Sequence, residues 1–429
     1  MSDFIGPPYW SCPKCGKSTF GVMIINRNSY MRRCRECRHK QDFWLPKLKK
    51  KILYLDQFVV SNLMKLDNPR VRGHELVAAD PFWRELCNLL FQLRQLEMIC
   101  CPDSGSHEEE SRTSPFNAEL KKTYEALSGG ITFDSFDSIS AMQICELGRA
   151  WCENREPKFD FDLRYILSDD PNKWTERFYI VCGDNPFVVP DRLRQARTAL
   201  HANVAHLFRD VWAKEKRTFK YWYDLERRSY QGHLGKSVLL SRRARFSGLL
   251  AFRPGVEPSL DDVAKALPSS AENILSGLEH IMRFPRDGGE RSAEERALLE
   301  KGFGDANRIA EAPFVKLQSL MFAAIAMSAA NGQKQLPDEG TTTDVETVAH
   351  LLPYCDAMFV DDRCRSLFLN IPLDLRPTAM EKLYSLNIKG QFLGYLRSIR
   401  DGITAEHAAA VREVHGGEHL GDVPAAKLI

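Results

Sequence analysis

The 429-residue sequence predicts an α/β fold, a parallel sheet with flanking helices that is split by a large helical insertion and preceded by a small cysteine-rich module. Three observations predict it. Short apolar runs alternate with amphipathic stretches in two separated blocks, 52–112 and 313–400. The residues between them, 113–312, read as mostly helical and are too many for a loop within a compact domain. The first 51 residues hold two tight cysteine pairs. With 44% hydrophobic and 27% charged residues the chain has ample material for a core, which excludes disorder as its main state.

The net charge of +2 conceals a division. Residues 1–51 carry twelve Lys or Arg against three acids, a charge of +9, which leaves −7 for the other 378 residues. A basic module therefore precedes an acidic remainder. No run reaches the roughly 20 apolar residues of a membrane helix. The opening MSDFIGPPYW lacks the basic, apolar and small-residue order of a signal peptide. A cytoplasmic location is expected, where thiols stay reduced and cysteine pairs serve as metal ligands or core residues.

Module 1–51 comes first in the chain. Cys12 and Cys15, then Cys34 and Cys37, form C-x2-C-x18-C-x2-C. Each C-x-x-C turn aims two thiolates at one side, and a hairpin between the turns closes the pairs into a tetrahedron around Zn²⁺. Phe20–Ile25 reads as one strand, Asn26–Asn28 as its turn and Ser29–Met31 as the return, so the module resembles a zinc ribbon. Four cysteines leave no open position, which makes the zinc structural. The module's basic residues interleave with Phe20, Tyr30, Phe43 and Trp44, the mixture of charge and stacking surface used on nucleic acid. A solvated basic face or a protein-docking face fits the same pattern.

After a linker at Pro46–Lys51, Ile52–Leu55 is a short buried strand with Asp56 at its carboxyl end, where ligands bind on open parallel sheets. A helix over Pro81–Leu96 leads to a strand over Glu97–Pro102 and then to the acid-rich helix start Asp103–Ser111. In the second block Thr343 or Asp344 caps a helix, and the strand Ala357–Val360 ends in Asp361 and Asp362. Carboxylates at three strand ends imply an acidic cluster on one sheet edge. Such a cluster is costly unless a divalent cation neutralises it. Mg²⁺ or Mn²⁺ suits oxygen ligands and can activate water for attack on a phosphodiester.

LYLDQ, the strand followed by PDSGSHEEES, and TDVETVAHLLPYCDAMFVDD together resemble the PIN-like nuclease family. The resemblance spans about 150 residues in the two blocks. It implies a PIN-like parallel sheet and a metal-dependent nuclease, more readily an endoribonuclease than a DNase. By position it implies Asp56 as the first acid, Glu110 as the helix Glu through PxSxxHxxE at Pro102, Ser104, His107 and Glu110, Asp344 as the helix-capping Asp, and Asp362 as the strand-end Asp. Together they would be the catalytic Mg²⁺ or Mn²⁺ ligands. Glu108 and Glu109 compete for the helix slot, and Asp361 and Asp356 are reserves for the last. His107 is a metal ligand or proton shuttle, or only a hydrogen-bonding residue. Gln57, Ser61 and Asn62 hold water or phosphate, or merely cap the following helix.

Within 113–312, helices are expected at 118–127, 139–151, 191–228 and 293–303. Arg192, Arg194 and Arg197, the run Lys214–Tyr223 and Arg242–Phe246 alternate basic and aromatic residues. That makes Lys220 and Trp222 candidate nucleic-acid contacts, with a partner-binding helical surface as the other reading. Gly235-Lys236-Ser237 mimics a phosphate loop, but Tyr230 stands where the first glycine is needed. A helix around 392–396 closes the core, and 401–429 gives a last short helix and a mobile tail. The expected protein is a nuclease whose ribbon and insertion position nucleic acid, with a toxin or phage-defence effector as a further reading of its biological role. The rival is a non-catalytic binding protein with a degenerate sheet.

Overall fold

The computed structural model describes residues 5–112, 114–175, 202–252, 259–286 and 288–417. Arg192, Arg194, Arg197 and the tail beyond 417 lie outside the described residues. The first sheet is antiparallel, in the order β1 (Gly6–Trp10), β2 (Phe20–Asn26), β3 (Ser29–Cys34), β4 (Lys40–Trp44). The predicted hairpin is its centre, with Phe20 opposite Cys34 and Asn26 opposite Ser29. The outer strands were not anticipated, because β4 reads KQDFW and is mostly exposed, so no apolar alternation marks it. Gly21 is required where β1 crosses β2, since a Cβ there would lie 2.5 Å from the Gly6 carbonyl oxygen.

The second sheet is parallel throughout, in the order β6 (Ile99–Cys100), β5 (Lys51–Leu55), β7 (Ala357–Phe359), β8 (Leu383–Tyr384). The central β5 is covered on both faces, which is why Ile52 to Leu55 are all apolar and buried. Leu53, Leu55, Ala357 and Phe359 pack on helices α1 (Gln57–Leu66), α3 (Pro81–Gln95, after the short α2, His74–Ala79) and, from the far end of the chain, the helix holding Phe392 and Leu396. Ile52, Tyr54 and Met358 face the opposite cluster, built on residues 317–354. The predicted strand Glu97–Pro102 contracts to two residues, because Glu97 takes a left-handed φ of 58° to turn out of α3. The fourth strand, β8, was unread, since two residues show no period.

Helices α4 (Gly105–Arg112) and α5 (Asn117–Ser128) follow β6. The insertion then supplies α6 (Phe136–Cys152), α7 (Phe219–Leu250), α8 (Leu260–Ala266), α9 (Ser270–Arg283) and α10 (Ala293–Asp305). It is not helix alone: Thr132 bridges Asp103 in parallel and Phe133 bridges Leu167, extending the sheet beyond β6. Where a continuous helix was expected, Leu207–Trp212 winds as a π-helix and a break precedes α7. Gly235-Lys236-Ser237 lies inside α7 and forms no phosphate loop.

The chain returns through α11 (Pro313–Ala330), α12 (Glu339–Leu351), α13 (Asp362–Leu369), α14 (Lys389–Asp401) and α15 (Ala405–His415). By length and composition α11 could cross a membrane, yet 61% of it is buried inside the fold as the central core helix.

Residues 46–51 are not a loose linker. Leu48 is buried, and Lys50 pairs with buried Glu97 at 2.6 Å. Trp174 is fully buried, with its backbone N–H donating to the Arg27 carbonyl at 2.8 Å and its indole N–H to the Pro46 carbonyl at 3.0 Å. Ile403, Val411 and Val414 complete that cluster with Val22, Ile25 and Tyr30. The C-terminal helix thus glues the cysteine module to the core.

Candidate functional site

The four cysteines come together as their spacing predicts. Cys12 and Cys37 sulfurs lie 3.5 Å apart and Cys15 and Cys34 sulfurs 3.6 Å apart. All four sulfurs lie within 4.8 Å of one another, so the cluster could hold a metal ion such as zinc. Burial disfavours a thiolate at Cys34, but the Thr19 hydroxyl and the Cys37 and Glu36 amides outweigh it and pull the thiol down to about 6. Its neighbour Cys15 is raised in turn, so without a metal the two sulfurs share a proton that a bound cation would displace.

The module's aromatic surface is smaller than expected. Phe20 and Tyr30 are buried, and Trp44 stands 82% exposed. Arg32 is buried too: its guanidinium sits 3.5 Å over the Trp10 ring and donates to the Phe20 and Glu413 carbonyls.

The second centre lies at the carboxyl edge of the parallel sheet. Asp56 follows β5 directly, and its backbone N–H donates to the Phe359 carbonyl at 3.0 Å. That bond places the ends of β5 and β7 side by side. Burial, then the charges of Glu110 and Asp361, push the Asp56 carboxyl up to about 7. Asp344 rises to about 8 through burial and then Asp56, Asp361, Glu110 and Asp338. Four acids from four elements therefore act on one another, and those acting most strongly on Asp56 and Asp344 are carboxylates.

Two expected roles change. Asp344 does not cap its helix; Asp338 does, its carboxylate accepting from the Thr341 N–H at 2.9 Å, and Asp344 sits one turn further in. Asp361, the reserve, rather than Asp362 is the strand-end acid whose charge acts on Asp56 and Asp344. The chain turns into α13 at this point, and Asp361 as its N-cap accepts from the Cys364 N–H at 2.5 Å while its charge reaches Asp56 and Asp344. Asp362 instead accepts from the Asn387 N–H at 2.9 Å. Asp356 lies at the opposite edge of the sheet, bound to Lys51 at 2.8 Å and to the Ile52 N–H at 2.9 Å. Glu108 pairs with Arg112 at 2.6 Å on the surface, and of the three glutamates Glu110 is the one whose charge acts on Asp56 and Asp344.

Gln57 forms the wall beside Asp56: its carbonyl oxygen accepts from the Tyr124 hydroxyl and its amide donates to the Ser111 hydroxyl at 3.4 Å. Asn62 accepts from Lys65 at 3.2 Å one turn along α1. Ser61, on α1 between them, is half-buried. His107 is buried between the Tyr54 and Tyr124 rings, with centroids 4.9 and 4.8 Å away. Burial holds it down at about 3 against a hydrogen bond to the Leu55 backbone that favours the charged form, so it is neutral. Trp222 is 2% exposed inside the core and cannot stack on a strand, whereas its neighbour Lys220 is exposed.

Sequence reasoning named Asp103 only as part of a helix start; it lies three residues past the end of β6. Burial first, then Glu108 and Glu125, raise it to about 7. It lines a cavity of about 410 Å³ together with His107, Tyr124 and Phe133.

Four oxygen-bearing side chains with no sulfur or imidazole among them suit Mg²⁺ or Mn²⁺ better than a softer ion. Among the described residues the four cysteines are the group whose ligand atoms all lie within 4.8 Å, and the acids do not form a second such group. Comparison with protein-family models, curated proteins and solved structures finds no match.

Proposed function

We propose that the chain is a metal-dependent nuclease with a PIN-like core, cutting phosphodiesters of RNA, and that its cysteine module is a structural zinc ribbon. One observation carries this reading: the Asp56 N–H bond to the Phe359 carbonyl sets the ends of β5 and β7 level, so that Asp56 and Asp361 follow adjacent strand ends and, with Glu110 of α4 and Asp344 of α12, load one sheet edge with like charge. A fold does not keep such an arrangement for stability, since like charges in a half-buried site cost free energy. A divalent cation would offset that charge, polarise the scissile phosphodiester and lower the pKa of water.

The chain's own residues do the rest. The four carboxylates would hold the cation, and a carboxylate of this cluster would accept the proton of the attacking water. Tyr124 and Gln57 form a fixed polar wall beside Asp56 that orients the strand. The exposed Trp44 and the basic face of the ribbon extend the binding surface. RNA ahead of DNA follows from the family resemblance alone.

The test is incubation of purified protein with labelled single-stranded RNA and DNA, with Mn²⁺, Mg²⁺ or chelator, beside Asp56→Asn and Asp344→Asn. Metal-dependent cleavage lost in both variants is expected. Cleavage that survives both removes the site.

A further inference from the structure

A cavity of about 410 Å³ opens next to the acidic edge, within the size range of small-ligand sites. It shares a wall with the acids. Tyr124 lines it and donates to Gln57, the residue after Asp56, and Ser111 lines it and accepts from the same Gln57. Its chemistry is that of a base site. Phe133 and Tyr124 supply aromatic surface, Lys121 lies at the rim beside the Arg112–Glu108 pair, and one carboxylate oxygen lacks a partner. Asp103 Oδ1 is buried with no hydrogen bond. Buried polar atoms in native folds are nearly always paired, so such a group lining a cavity marks a place for a ligand's donor.

We infer that this cavity receives one unstacked guanine base of the bound strand, with its Watson–Crick edge on the Asp103 carboxylate and its ring against Phe133 and Tyr124. Guanine presents two adjacent donors on that edge, N1–H and the N2 amino group, which match the two oxygens of one carboxylate. Adenine, cytosine and uracil do not offer that pair. Single-stranded RNA is read in this way, by splayed bases stacked on aromatic side chains and hydrogen-bonded at their edges. Burial that disfavours an ionised Asp103 also makes a charge-assisted pair there count for more. The subsite rests on the nuclease reading, because it positions the neighbouring phosphodiester over the acids.

The four nucleoside 5′-monophosphates are titrated into the full-length protein without Mg²⁺ or Mn²⁺ and followed by ligand-observed NMR. Guanosine monophosphate should bind most tightly. Asp103→Asn should weaken it about tenfold, the loss of one hydrogen-bonded pair. Asn117→Trp, at an exposed position on the rim, should block it without touching the core. Asp56→Asn should bind it as the wild type does. No binding, equal binding in both cavity variants, or a pyrimidine bound as tightly as guanine overturns the base site. If Asp56→Asn abolishes RNA cleavage while guanosine monophosphate ignores both cavity variants, the base site falls and the nuclease reading stands. If the nucleotide responds to both variants but no RNA is cut with either metal, the nuclease reading falls and the cavity remains a guanine site.

Discussion

The Asp56 N–H and the Phe359 carbonyl are joined at 3.0 Å, the last bond of the β5–β7 ladder, and it decides which acids meet. With the strand ends level, the first carboxylate past β7 that can turn toward Asp56 is Asp361, while Asp362 is carried over to the Asn387 N–H. Asp361→Asn should therefore lower cleavage about a hundredfold or more, as Asp56→Asn and Asp344→Asn do. Asp362→Asn should stay near the wild-type rate. Initial rates on one RNA at saturating Mn²⁺ check the ranking, and the reverse order would move the site to Asp362.

Much of this site was legible because a buried strand leaves a strong mark. Ile52–Leu55 and Ala357–Val360 are apolar without interruption, so the acids that follow them stand out. Which of two adjacent acids turns inward was not legible, because the Asp361/Asp362 choice depends on where α13 starts and on a partner at Asn387 more than twenty residues away. The role of Trp222 was misread for a similar reason. Alternating basic and aromatic residues look the same on a groove as on a helix that packs its aromatics inward. The attachment of α15 was invisible, since its contacts run to residues near 25 and 174.

Lys50 and Glu97 form a buried pair at 2.6 Å, with the Thr175 N–H at 3.0 Å and His415 at 3.1 Å on the other Glu97 oxygen. Burial opposes the Glu97 charge, but Lys50, His415 and Arg94 outweigh it and hold the carboxyl well below the usual range. A depressed carboxyl contributes stability above its unfolded pKa of about 4.5 and loses it as pH falls toward the folded value. Glu97→Gln should thus cost about 3–5 kcal/mol at pH 7, where it strands Lys50. The gap from wild type should narrow steadily below pH 4.5. Urea unfolding at pH 7 and at pH 4 measures both, and a gap independent of pH would show that Glu97 acts by packing alone.

Removing zinc should do more than open the ribbon. The module packs on α15, where Tyr30 donates to Glu413 at 2.9 Å and Arg32 to the Glu413 carbonyl. Metal binding at such a site is folding free energy, on the order of 10 kcal/mol. Chelation, or Cys12→Ser with Cys34→Ser, should release one zinc per chain, free α15 for proteolysis and expose Trp174, shifting its emission to the red. Elemental analysis and limited digestion follow the two events. Loss of zinc with α15 still protected would uncouple the module from the core.

Trp44 and Trp222 make a paired test of where nucleic acid lies. Trp44 is 82% exposed at the end of β4, so Trp44→Ala removes a stacking surface and leaves the core intact. Single-strand binding should weaken by about 1–3 kcal/mol, the usual worth of one stacked base, with the melting temperature unchanged. Trp222 is buried among Phe219, Leu317 and Leu320, so Trp222→Ala opens a cavity and should cost about 3–5 kcal/mol of stability. Any effect of that change on binding should follow the fraction folded. Anisotropy with labelled RNA beside thermal melts separates the two outcomes. If Trp44→Ala binds normally, the strand does not touch the ribbon at this residue, and the module's positive charge acts at a distance or on a different partner.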